Sequence, residues 1–318
     1  MIPVEWLHAA HERIEGIVKE TPLTYDDALG VFFKWENQQI TGSFKIRGAA
    51  NKVLSLQDWE RENGVITCSA GNHGQGVALA AQRVGTTCEV YASSHAVPMK
   101  IAAMQSLGAN VQLVDGDYVI AEKTAIKQAE LSGKIFISPY NDVQVIAGQG
   151  TLGLELQRQS DGFKGIKSII VPVGAGGLLS GIGLSLESLK VKPRLIGAQS
   201  DASPYMHSLF YVGTQNGVIE RDSLADGLAG EVDHQSITIP LVDYYADEIV
   251  LVTENELKDA IIFAWEKHHQ IIEGSAAVSV AAVLARKVSA LPAIVIVTGG
   301  NIQPKLHQSI IQGPGLIK

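Results

Sequence analysis

Cysteine is almost missing from this chain: Cys68 and Cys88 are the two in 318 residues, too few for a disulfide framework. Runs of basic residues are missing as well. Lysine and arginine total 25 against 33 acidic residues, for a net charge of -8, so there is no footprint for phosphate backbones and nucleic acid is not an expected partner. The N-terminus, from Met1 to Glu15, is polar and charged rather than signal-like, which makes the cytoplasm the expected compartment. The stretch from Ile169 to Leu186 has no charge and is long enough to resemble a membrane span. Pro172, Gly174, Gly176, Gly177, Gly181 and Gly183 divide it instead into a short strand, a glycine loop and a small-residue helix. No internal repeat and no low-complexity linker is present.

What is present is apolar: 46% of residues are hydrophobic, enough for one large or two modest cores. After a helix expected over 6–18, β-branched strands alternate with helical stretches. Strands at 65–68, 88–92, 111–114 and 135–138 enclose helices at about 74–84, 98–107 and 118–131. A second series follows, with strands at 168–173, 194–199, 248–252 and 293–298 and helices at 144–158, 178–189, 254–268 and 275–288. Such alternation implies an α/β fold of two parallel-sheet domains. The smaller, 66–138, is expected to be inserted in the larger, 1–65 with 139–318.

Thr41-Gly42-Ser43-Phe44-Lys45-Ile46-Arg47-Gly48 places a lysine at a helix start, because Thr41 and Ser43 are good N-cap residues and Ile46, Ala49, Ala50, Val53 and Leu54 follow at helical spacing. The helix dipole disfavours a cation there by roughly 0.3 to 1 kcal/mol. A neutral amine escapes that penalty, and neutral amines attack carbonyls to form Schiff bases. The competing reading is an ordinary solvated lysine.

Three polar glycine-rich corners end three of the strands. Val173-Gly174-Ala175-Gly176-Gly177-Leu178 lies between a strand and a helix, the setting for an anion cradle of backbone N–H groups or, alternatively, for close strand–helix packing. It is not a dinucleotide fingerprint, since position 179 is Leu and the following strand ends in Gln199 rather than an acid; nor does a P-loop G-K-[ST] follow. Ser69-Ala70-Gly71-Asn72-His73 offers N–H groups to a carboxylate and an amide to a phenolic or carbonyl oxygen, and Thr298-Gly299-Gly300-Asn301 closes the last strand. Ligands of open α/β sheets bind at such carboxyl ends.

Together, these motifs resemble the fold-type II pyridoxal-phosphate enzymes, tryptophan synthase β-like in fold, and most closely the threonine/serine dehydratases and serine racemases. The likeness runs from about Thr21 to Asn301 and takes in Ile146-Ala147-Gly148-Gln149-Gly150-Thr151, Leu224-Ala225-Asp226-Gly227 and Glu273-Gly274. The resemblance implies pyridoxal 5'-phosphate as cofactor and Lys45 as Schiff-base lysine and general base. It also implies Phe44 beside the ring, Asn72 at the ring hydroxyl, Gly174, Ala175, Gly176, Gly177 and Leu178 around the phosphate, and Thr298 at the pyridine nitrogen. Substrate would dock on Ser69, Ala70, Gly71, Asn72 and His73. A hydroxyl at the ring nitrogen, unlike a carboxylate, does not hold a proton there, which favours β-elimination over transamination. The expected reaction is dehydration and deamination of L-threonine or L-serine to 2-oxobutanoate or pyruvate and ammonia, in a homodimer or homotetramer.

Two departures from the family matter. Racemases place a serine before Gly-Asn-His, where this chain has Ala70, so elimination is expected over racemisation. Metal-dependent relatives carry a glutamate and an aspartate after the strand that here ends in Gln199-Ser200-Asp201, so no metal is expected at that place. The rival readings are a serine racemase, a dehydratase of another hydroxy amino acid such as 3-hydroxyaspartate, and a non-catalytic amino-acid sensor. Cys68 is expected to be buried and inert, His268 and His269 to be solvated, and His73 to orient its loop.

Overall fold

The computed structural model describes residues 2–313. Its strands are β1 (Leu23–Asp26), β2 (Val31–Trp35), β3 (Val65–Cys68), β4 (Cys88–Ser93), β5 (Asn110–Val114), β6 (Ile135–Phe136), β7 (Ser168–Pro172), β8 (Arg194–Ser200), β9 (Glu248–Val252) and β10 (Ala293–Val297). The helices in the first half are α1 (Val4–Ile14), α2 (Lys45–Leu54), α3 (Asp58–Asn63), α4 (Asn72–Val84), α5 (Pro98–Ser106), α6 (Tyr118–Ser132) and α7 (Val143–Gln159). Those in the second half are α8 (Gly177–Leu186), α9 (Tyr205–Val212), α10 (Thr238–Tyr245), α11 (Glu254–His268), α12 (Gly274–Leu284) and α13 (Pro304–Gln312).

Two sheets result. One has six strands in the order β1-β2-β10-β7-β8-β9, and the other has four in the order β5-β4-β3-β6. Every pairing is parallel except that of the edge hairpin β1-β2. Every residue of β7 and β10 is buried, which is why Ser-Ile-Ile-Val-Pro and Ala-Ile-Val-Ile-Val read as continuous runs: helices cover both faces of a parallel sheet, leaving no polar side to alternate with. On one face Ile170, Ile196 and Val295 pack with Leu257 and Ile261 of α11 and Val278 and Ala281 of α12. On the other, Ile169, Val171 and Ile294 pack with Leu152 and Leu156 of α7 and Leu179 and Ile182 of α8. The helix α2 packs against both α4 and α7, so it sits where the helices of the two sheets meet.

The uncharged stretch at 169–186 resolves into β7, a loop and α8, and among the described residues no helix is long and apolar enough to cross a membrane. His268 corrects an expectation. It is not solvated: its Nε2 lies 3.0 Å from Asp26 Oδ2, and its ring stands 5.0 Å from that of Phe33 and 5.2 Å from that of Trp35. The left-handed residue His269 (φ 54°) ends α11 and lets the chain turn there.

Candidate active site

The helix α2 starts at Lys45, but not with the cap expected. Its N-cap is Phe44, which makes no side-chain capping bond, while Thr41 Oγ1 reaches only the Ser43 carbonyl at 3.5 Å. The reason is tertiary. The Phe44 N–H donates to the Thr298 carbonyl at 3.0 Å and Ser43 forms a lone bridge with Gly299, so the end of β10 takes the place of a local cap. Lys45 Nζ donates to the Pro139 carbonyl at 3.0 Å and lies 5.4 Å from the centre of the Phe44 ring. Burial pulls its pKa down to about 8, against the opposing attraction of Glu273. An amine in that state is available as nucleophile or base near neutral pH.

The Ser69–His73 loop joins β3 to α4. Gly71 is the N-cap of α4, no acidic residue occupies the first turn, and the Gly71 N–H donates to Ser69 Oγ at 3.1 Å. The Asn72 amide is held from two sides: Nδ2 donates to Glu273 Oε1 at 2.6 Å, and Oδ1 accepts from Asn301 Nδ2 at 2.6 Å. His73 is buried, with Nε2 3.1 Å from the Ile137 carbonyl. Burial, helped by Lys45, drives its pKa down to about 3, so it stays neutral and anchors the loop. Ala70 is partly buried. Lys100 of α5 approaches the same loop: a Cβ on Gly71 would lie 3.7 Å from its Nζ, which pairs with Asp226 Oδ2 at 3.1 Å.

The third segment runs from Gly174 to Leu178 into α8. Among the described residues, the backbone N–H groups of this run donate to no carbonyl and no side chain, and the first turn of α8 carries no charged residue. Gly176 stands at φ +87°, where a Cβ would also lie 2.5 Å from Val242 Cγ2. Ala175 is not among the residues at positive φ, so its methyl is accommodated without strain. A row of free N–H groups at a helix N-terminus, walled by Leu228 and Tyr140, suits an anion.

Contacts join the three segments. Asn72 meets Asn301, Phe44 meets Thr298, and Thr298 is itself buried at the end of β10. Lys45 and Gly177 both touch the Pro139-Tyr140 segment, the lysine through the Pro139 carbonyl and the glycine against Tyr140. Three charged residues at this junction, Glu273, Asp226 and Lys100, carry no catalytic signal of their own in the sequence. Glu273 and Asp226 belong to stretches recognised only as family-like, and nothing local marks Lys100. At the place expected to lack a metal, Gln199 Oε1 accepts from the His207 N–H at 2.9 Å and Asp201 pairs with Arg221 at 3.3 Å.

Residues 14–299 match the family model described as "Pyridoxal-phosphate dependent enzyme". The L-threonine ammonia-lyase of Thermotoga maritima is 38% identical over 100% of this chain and 80% of its own length. The catabolic L-threonine dehydratase of Escherichia coli is 35% identical over 95% of this chain and 93% of its own. Among solved structures, the serine racemase of Dictyostelium discoideum superposes with a TM-score of 0.86 at 33% identity, covering 95% of this chain and 99% of that one.

Proposed function

The chain belongs to the pyridoxal-phosphate dependent enzyme family, and on that premise we propose that it removes water from L-threonine and L-serine, yielding ammonia with 2-oxobutanoate or pyruvate. The observation that carries this reading is Lys45, a buried amine pulled down to about 8 at the start of α2, in a chain whose Ser69–His73 loop has the methyl of Ala70 where racemases carry a serine. With one proton-transferring group at the α-carbon, elimination is favoured over inversion. The names of the relatives that match along nearly the whole chain support the substrate class.

The residues present fit the cofactor. The free N–H groups of Gly174, Ala175, Gly176, Gly177 and Leu178 would hold its phosphate, each N–H to a charged oxygen contributing about 1.5 to 3 kcal/mol. Lys45 would bind its aldehyde, Phe44 would pack beside its ring, Asn72 would donate to the ring oxygen, and Thr298 would offer a hydroxyl to the ring nitrogen. Pyridoxal phosphate, when bound, supplies an electrophilic carbon and an electron sink for the pair left at the substrate α-carbon. The Ser69–His73 loop would bind the substrate carboxylate through the N–H groups of Ala70, Asn72 and His73, since those of Ser69 and Gly71 already donate to the Tyr91 carbonyl and to Ser69 Oγ, and neutral His73 keeps that loop in place without contributing a proton. The Lys45 amine, free once substrate has entered, takes the α-proton. The β-hydroxyl then leaves as water, taking the proton that Lys45 has accepted, and the released enamine tautomerises and adds water to give ammonia and the 2-oxo acid.

The same reading assigns 66–138 as the smaller, substrate-loop domain, inserted in a larger one of 1–65 and 139–318; the strands of the four-stranded sheet fall between Val65 and Phe136. It also makes the protein a cytoplasmic homodimer or homotetramer, which light scattering tests. The deciding experiment loads the purified protein with pyridoxal phosphate and assays 2-oxo acid release from each amino acid. Release of 2-oxobutanoate and pyruvate is expected. Silence with both, in a fully loaded yellow protein, would overturn the assignment.

A further inference from the structure

Glu273 is a carboxyl with an unusual position. It is the N-cap of α12, yet its side chain makes no capping bond; it turns away from the helix toward the candidate site. Its backbone is fixed, since its N–H donates to the Gly299 carbonyl at 3.1 Å and its own carbonyl accepts from Ala276 and Ala277 at 3.0 Å. The carboxyl fills the space that Gly299 leaves empty: a Cβ on Gly299 would collide with Oε1. From there, Oε1 accepts from Asn72 Nδ2 at 2.6 Å.

Counting the hydrogen-bonding capacity of Asn72 shows what this contact does. The amide has one oxygen and two N–H donors. The oxygen accepts from Asn301 Nδ2, which also donates to the Thr41 carbonyl at 2.9 Å, so the bond to Thr41 keeps the donor side of Asn301 turned toward Asn72. One Asn72 N–H goes to Glu273. One N–H remains, and the amide cannot be turned over without setting its oxygen against a carboxylate.

We propose that Glu273 is a positioning residue that holds the Asn72 amide with its remaining N–H aimed at the ring oxygen of the cofactor. The inference rests on the role given to Asn72 above. It also makes cofactor retention depend on pH, because an ionised carboxyl grips that amide more firmly than a neutral one. Burial raises Glu273 to about 7. The groups facing it are Lys100 of α5, Asp226 in the turn Asp226–Leu228 and Lys45 of α2, with both lysines favouring its ionised form and Asp226 opposing it. As pH falls through about 7 the carboxyl takes up a proton and the grip loosens.

The test measures pyridoxal 5'-phosphate binding to the apoprotein, by absorbance titration from pH 6 to 8.5, for wild type, Glu273→Gln, Glu273→Ala, Asn72→Ala and the double Ala variant. At pH 8, Glu273→Ala and Asn72→Ala should each weaken binding about ten-fold, and the double variant no further, since both remove one coupled contact. Glu273→Gln keeps an acceptor and should bind within about three-fold of wild type at pH 8. The ratio of wild-type to Glu273→Gln affinity should then fall as pH drops below 7, and the same fall should appear when both are compared in a Lys45→Ala background, where the attraction between Glu273 and Lys45 does not enter. Multiplying losses in the double variant, or a Glu273→Gln profile parallel to wild type at every pH, would overturn the proposal. Should Glu273→Ala fail to fold, the Glu273→Gln ratio decides alone. Because the readout is cofactor uptake, a protein that turns over neither amino acid would sink the dehydratase reading and leave this one standing.

Discussion

Nη2 of Arg47 lies 2.8 Å from Oε2 of Glu155, with the two side chains 2% and 5% exposed. The same guanidinium grips Glu36 at 2.7 Å, and Lys34 completes the cluster on Glu155. Two cations and two anions are thus buried two residues along from Lys45, joining β2, α2 and α7. Loss of one partner would leave an uncompensated charge, which costs about 3 to 5 kcal/mol. Arg47→Met should lower the unfolding free energy by that amount in urea titrations. A loss under about 1 kcal/mol would mean that the cluster adapts around the vacancy.

Lys45 is expected to leave a mark on the stability of the apoprotein. Its pKa is about 8 when folded against an ordinary 10.5, so the unfolded chain holds the proton more tightly. Stability should therefore rise with pH between those values, the penalty being full below about 8 and gone above 10.5. In Lys45→Met the rise should disappear. The gap between the two proteins, followed by urea unfolding from pH 7 to 10.5, should be widest at the acid end; a gap constant with pH would show that the amine is not desolvated in solution.

Gly176 and Ala175 are adjacent and should respond in opposite ways. Gly176→Ala puts a methyl at φ +87° and against Val242, and should cost about 1 to 3 kcal/mol and at least a ten-fold loss of pyridoxal-phosphate affinity. Ala175→Gly, at a position without positive φ, should change affinity less than about three-fold. Absorbance titration of the two apoproteins separates these outcomes.

Ala70→Ser restores the hydroxyl that racemases of this family carry before Gly-Asn-His. D-serine formation relative to pyruvate should increase several-fold in the variant, measured by chiral chromatography of the products. An unchanged ratio would mean that the identity of residue 70 is not what sets the partition between elimination and inversion.

The alternation of strands and helices was legible because β3, β7 and β10 are short buried runs ended by glycine corners, a local signal. The corners were legible as places where backbone N–H groups gather, and Lys45 could be picked out from its eight-residue stretch. Other features depend on contacts far along the chain. The start of α2 is set by Thr298 rather than by Thr41 or Ser43, both of them good caps in isolation. The helices α9 and α10 begin after Pro204 and Ile237 without side-chain caps, so nothing in their own residues announces them. Glu273 reads locally as an ordinary helix N-cap, and the amide that it grips is 201 residues away. His268 reads as a solvated helix end until Phe33 and Trp35 are brought beside it.

The place of β10 in the large sheet bears on how the enzyme is made. This strand is inserted between β2 and β7 and leads directly into Thr298, Gly299 and Asn301. A chain emerging from the ribosome exposes Lys45 early, yet Phe44 lacks its carbonyl partner and Asn72 lacks Asn301 until residue 301 has been released. The longest-range pairings are the slowest to close. The junction that gathers Phe44 and Asn72 therefore closes only after β10 has been made, however early Lys45 emerges.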